Sequence, residues 1–138
     1  MSGEYVDRLK RRARAFLTAA SMNVDYDLAM FFAEQAAQLY TKAVYYELFG
    51  DVLRGHRLRE LLSTLVKALE KHGYSESAES VVSFIDSRRR ALIDLEEAYT
   101  SSRYGHVDYA KEDAERAVKT VQRLVDLLEE VVRRVKLG

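Results

Sequence analysis

The stretch DYDLAMFFAEQAAQLYTKAVYYELF, residues 25–49, decides the fold. Leu28, Phe32, Gln35, Leu39, Ala43 and Tyr46 recur at three- and four-residue steps and form one row of a helix. Ala29, Ala33, Ala36, Tyr40 and Ala43 form an adjacent row of mostly small residues. Apolar residues thus cover much of the circumference, the mark of a helix packed on more than one side. The alanines let neighbouring helices approach closely. Asp25 is placed to cap the N-terminus, and Gly50 follows the last apolar residue.

The rest of the chain supplies the neighbours. Proline is absent, and six glycines with a few polar clusters are the only punctuation. Breaks at Ser21-Met22-Asn23, Gly50-Asp51, His72 to Ser75 and Ser101 to His106 leave five segments. In Glu4–Ala20, Tyr5, Leu9, Ala13, Phe16, Leu17 and Ala20 share a face, and Arg8 with Lys10 to Arg14 cover the remainder. In Arg57–His72, Leu58, Leu61, Leu62, Leu65 and Leu69 form the stripe. Ser75–Thr100 carries Val81, Val82, Ile85, Leu92, Leu95 and Tyr99, a stripe that continues through Arg88 and Arg89. A charge inside an apolar stripe is costly unless paired. The pattern therefore predicts that at least one of these arginines is buried against a carboxylate such as Glu34; the other reading has one of them lining a cleft.

The last segment, Val107–Leu137, has Val118, Val121, Val125, Leu128, Val132 and Val135 in one seam. Ala114, Ala117, Leu124 and Val131 form a second seam beside it. About 30 helical residues span roughly 45 Å. That length predicts a helix that projects or pairs with another chain, and hence a homodimer. Together the segments predict an all-α, up-and-down antiparallel helical bundle of about five helices, a four-helix core plus a short helix, in one domain over residues 1–138.

Composition narrows the function classes. Twenty-two basic and 22 acidic residues balance, so overall charge gives no case for nucleic acid or an anionic membrane. Cysteine is absent, which excludes disulfides, thiolate metal sites and a cysteine nucleophile. The N-terminus is charged where a secretory signal needs an apolar stretch, and no apolar run approaches the roughly 20 residues that span a bilayer. The expectation is a cytoplasmic protein with no membrane partner.

No Gly-rich phosphate loop, His-Glu-x-x-His or Gly-x-Ser-x-Gly is present. His56, His72 and His106 lie in three different breaks with no metal-ligand spacing, so no metal or cofactor is implied. Two stretches carry possible chemistry. Arg54-Gly55-His56-Arg57-Leu58-Arg59 opens a helix, where cations beside free N–H groups suit an anion; a solvated basic turn has the same pattern. Ser101-Ser102-Arg103-Tyr104-Gly105-His106 joins two long helices. Its Arg and Tyr suit gripping a phosphate and stacking on a base, and equally suit tying a loop to the protein.

Three separated motifs resemble the HEPN domain family. Asp25-Tyr26-Asp27 through Phe31-Phe32, Gln35-Ala36-Ala37 and Lys42-Ala43 look like that family's second helix. Gly50, then Arg54-x-His56 with Leu58, Leu61 and Leu62, follows in the same order. Leu95-x-x-x-Tyr99-x-x-Ser102-Arg103-Tyr104 resembles the family's Ser-Arg-Tyr-Pro segment, with Gly105 where the family has Pro. The resemblance implies a helical bundle, commonly homodimeric. It also implies nucleotide binding and a minimal nucleotidyltransferase partner, in some cases as toxin and antitoxin.

Toxic members of the family are metal-independent RNases carrying an Arg followed, after about four to six residues, by a His. Here the positions at that distance before His56 are Phe49, Gly50 and Asp51; before His72, Leu65, Val66 and Lys67; before His106, Tyr99, Thr100 and Ser101. None is Arg. The resemblance thus implies a non-catalytic protein that binds a nucleotide or phosphate-bearing ligand. Lys42, Arg54, His56, Arg103 and Tyr104 are the candidate contacts. An RNase with a rearranged Arg103/His106 site and a purely structural or regulatory dimer are the alternatives.

Overall fold

The structure is a computed structural model that describes residues 2–23, 25–105 and 108–138. Six helices make up the described residues, with no strand among them: α1 (Ser2–Met22), α2 (Tyr26–Phe49), α3 (Leu58–Lys71), α4 (Ser75–Ser87), α5 (Arg89–Tyr104) and α6 (Lys111–Leu137). No helix is long and apolar enough to cross a membrane.

The α2 helix lies at the centre, as its two apolar rows require. It packs against α1, α3, α5 and α6. Its alanines at 29, 33, 36, 37 and 43 are buried, as is Tyr40. Asp25 caps it, its carboxylate accepting from the N–H groups of Asp27 and Leu28 at 3.1 and 3.2 Å. At the other end Gly50 takes the left-handed conformation, φ +68°, which a side chain rarely adopts.

The expected fourth segment is two helices, and this corrects both the helix count and the reading of its arginines. The chain leaves helical geometry at Arg88, φ −118° and ψ 20°. That break changes the phase of the stripe. Val81 and Phe84 are buried before it, and Ala91, Leu92, Leu95 and Ala98 after it, so a stripe drawn straight through residues 88 and 89 does not exist. Arg89 is exposed and meets Asp86 at 3.3 Å on the surface. Arg88 is half-buried, with an Nε that has no hydrogen-bond partner among the described residues. Neither pairs with Glu34.

Both seams of α6 are covered within the chain. Ala114, Ala117, Val118, Val121, Leu124, Val125, Leu128, Val131 and Val132 are buried against the other helices. The opposite face carries charges, including Arg116 paired with Asp113 and Arg134 paired with Glu130. The length from which a homodimer was expected leaves no broad apolar face open on this helix: its exposed residues are polar, apart from Leu137 at its end.

Two polar clusters fix helices to one another. On one side, Lys10 of α1 donates to Glu47 of α2 at 2.7 Å and meets Glu129 of α6 at 2.8 Å. The buried Tyr40 hydroxyl donates to Glu129 at 2.6 Å and accepts from Arg14 at 3.1 Å. On the other side, Arg59 at the start of α3 grips Glu96 of α5 through Nε at 2.6 Å and Nη2 at 3.2 Å, and through its backbone N–H at 3.3 Å. The helix start that could have received an external anion thus holds the protein's own carboxylate there.

Candidate functional site: the cleft between α2 and α5

The site grows from the end of α5. Gly105 stops this helix in the left-handed conformation, φ +75°, its N–H returning to the Ser101 carbonyl at 2.9 Å. Arg103 sits in the last turn and folds back. Its Nε and Nη2 donate to the Tyr99 carbonyl, one turn back on the same helix, at 3.0 and 2.6 Å. That anchor holds the guanidinium 4.9 Å from the ring centres of Phe31 and Tyr99 and 5.2 Å from that of Tyr104. Aromatic faces at this range attract a cation without neutralising it. Arg103 has no carboxylate partner among the described residues, and its remaining N–H donors are unspent.

The loop between α2 and α3 closes over the same ring. His56 stacks on Tyr99 with ring centres 4.5 Å apart and planes 8° from parallel. Phe31 lies 6.5 Å from Tyr99, so α2, α5 and the loop meet at that phenol. His56, Arg103 and Tyr104 are all exposed, Tyr104 to 66%.

Beneath this surface lies a polar row on α2. Glu34 is fully buried. Its two oxygens accept from Gln35 Nε2 at 2.8 Å and Gln38 Nε2 at 2.7 Å. Lys42 donates to Gln38 Oε1 at 3.1 Å, which links it to Glu34 through one amide. Burial pushes the Glu34 carboxyl up to about 7; the two amides, Lys42 and Arg103 pull in the opposite direction without prevailing. Burial likewise lowers the Lys42 ammonium from its ordinary value, against the opposing field of Glu34.

Three of the five sequence candidates therefore converge. His56, Arg103 and Tyr104 meet around Tyr99, while Lys42 lies farther along α2, linked through Gln38 to Glu34. Arg54 is exposed and makes no ion pair or side-chain hydrogen bond among the described residues. His106, the RNase alternative's histidine, lies outside the described residues. Sequence reading missed the part played by Glu34, which it assigned to Arg88 or Arg89, and by Phe31 and Tyr99 as the walls of the cleft. A signal for Glu34 was present: a carboxylate among Ala33, Ala36 and Ala37, on a helix apolar on most sides, has no route to water.

No cluster of His, Asp or Glu among the described residues is arranged to hold a metal ion. The site is one arginine walled by three aromatic rings between α2 and α5. The HEPN domain family model matches residues 6–131, and the chain belongs to the HEPN family. No curated protein and no solved structure matches the chain.

Proposed function

We propose that this HEPN protein binds a nucleotide or other phosphate-bearing ligand in the cleft between α2 and α5, without catalysis. It acts beside a minimal nucleotidyltransferase partner in a toxin–antitoxin-like pair, as a homodimer in the cytoplasm. The observation that carries the binding is Arg103: a guanidinium tethered to a backbone carbonyl, walled by three aromatic rings and lacking a carboxylate partner. Its outward donors suit the bidentate geometry of a phosphate. Lys42 adds charge from farther along α2, and the open rings of His56 and Tyr104 offer stacking for a base. The partner and the dimer are carried by family membership alone.

Isothermal titration of the purified protein with ADP in chelator tests the binding. Saturable binding that Arg103→Ala weakens at least about tenfold, the loss of one charge-assisted contact, is expected. Absence of ADP binding, or binding indifferent to Arg103, overturns the site.

A further inference from the structure

Glu34 is the one buried acidic residue among the described residues, and its position has a consequence for any anion in the cleft. Its oxygens touch two neutral amides, not a cation. The positive charges acting on it come from Lys42 on its own helix and Arg103 on α5. His56, stacked on Tyr99 beside Arg103, is the other titratable side chain of the cleft. The helices α1, α3 and α6 give Glu34 no hydrogen bond. Lys42 and Arg103 are also the cations assigned above to the ligand's phosphate.

We propose that seating an anionic phosphate in this cleft is coupled to uptake of one proton from solvent by Glu34, so that the occupied protein holds Glu34 as the neutral acid. This rests on the phosphate site proposed above. The physical cause is competition for the same positive charge. A phosphate on Arg103, which packs on Phe31 one turn from Glu34, offsets part of the positive field acting on the buried carboxylate and adds a like charge nearby. The buried group then sheds its charge, since an unsupported ion in the interior is the costlier alternative.

The amides accommodate the change. A protonated carboxyl needs an acceptor, and Gln38 supplies one by turning its Oε1 toward Glu34. That turn withdraws the same oxygen from Lys42, whose ammonium becomes available to the ligand. With the free carboxyl held near 7, both protonation states are populated around neutrality, where a modest bias moves the proton. Linkage is reciprocal: if the ligand favours protonated Glu34, protonation of Glu34 favours the ligand. Affinity therefore rises as pH falls from alkaline values toward neutrality, and levels off below the free-state value.

The test is carbon NMR of the Glu side-chain carboxyls between pH 5.5 and 9, with and without saturating ADP, using Glu34→Gln to assign the resonance. The expected result is an inflection for Glu34 that moves up by about one unit or more with ADP. Correspondingly, ADP binds about fivefold more tightly at pH 7 than at pH 9, and Glu34→Gln removes that dependence. The comparison stays at pH 7 and above, where the terminal phosphate is mostly ionised. If ADP binds with the expected dependence on Arg103 but the Glu34 inflection stays or falls, the coupling alone is overturned. If ADP perturbs nothing in the cleft, the phosphate site fails and the coupling with it.

Discussion

The His56 imidazole lies face to face on the Tyr99 phenol, 4.5 Å between ring centres and 8° from parallel. This contact joins the loop before α3 to α5 at the point where Arg103 also anchors. Tyr99→Leu keeps an apolar side chain but removes the flat partner. The loss expected is about 1 kcal/mol, the worth of an aromatic pair, read by urea denaturation. Amide exchange should accelerate selectively in the loop around His56. Uniform exchange at that loop in both proteins would show that the stack does not hold it.

Glu34 gives a stability signature independent of any ligand. Its folded-state pKa is raised above the unfolded value, so its contribution is fully present below the ordinary carboxylate range and lost as pH rises toward about 7. Glu34→Gln carries no such penalty. At pH 8 the variant should be more stable than wild type by about 2 kcal/mol, given about 1.4 kcal/mol per pKa unit and some loss of hydrogen-bond quality. At pH 4 that advantage should be gone, leaving the variant no more stable than wild type. Denaturation midpoints at the two pH values measure it, and an equal difference at both would show that Glu34 does not titrate in this window.

The Lys10 cluster responds in the opposite sense. Burial works against the charges of Glu47 and Glu129. Lys10 outweighs it at both, aided by Lys136 at Glu47 and by Tyr40 at Glu129, so both carboxyls lie below the ordinary range. Depressed carboxyls contribute stability above their unfolded pKa and lose it as pH falls through the folded values. Lys10→Met leaves both carboxylates without their shared cation. The ions are partly solvated, so about 2 kcal/mol is expected at pH 7, less than the loss of one partner from a deeply buried pair. The deficit should be smaller at pH 3, on the way down through the folded values of the two carboxyls, than at pH 7. A deficit that is the same at both pH values would assign it to packing.

The central helix was legible in residues 25–49 because burial on several sides leaves a plain mark, apolar rows around most of a cylinder. The arginine break was not. A single sequence gives no sign that residue 88 leaves helical geometry: it is neither Gly nor Pro, and continuing the stripe looked costly but possible. Charge in the stripe was the true signal, and it marked a change of phase and not an ion pair. The candidates Arg103, Tyr104, His56 and Lys42 were legible as chemistry, but the meeting point of the first three was not. Tyr99 looked like one more apolar position of a stripe, and its second role depends on where the α2–α3 loop returns.

The last prediction concerns RNA. The purified protein should leave both structured and single-stranded RNA intact in chelator. Metal-independent cleavage needs a base and acid near the 2′-hydroxyl and leaving oxygen, with a cation on the phosphorane. Arg103 has the charge for the last part. Its side chain, however, is turned back along α5 to the Tyr99 carbonyl, and the helix ends two residues later at Gly105. The left-handed Gly105 ends the helix that carries Arg103. His56 reaches the same neighbourhood through its stack on Tyr99, and no hydrogen bond joins it to Arg103 among the described residues. Among the described residues Arg103 has no hydrogen-bonded histidine to move protons around a phosphate beside it. Incubation of wild type, Arg103→Ala and His106→Ala with both RNAs measures this. Cleavage by wild type that both substitutions abolish would make the protein an RNase, with Arg103 and His106 meeting by a route other than one helix face.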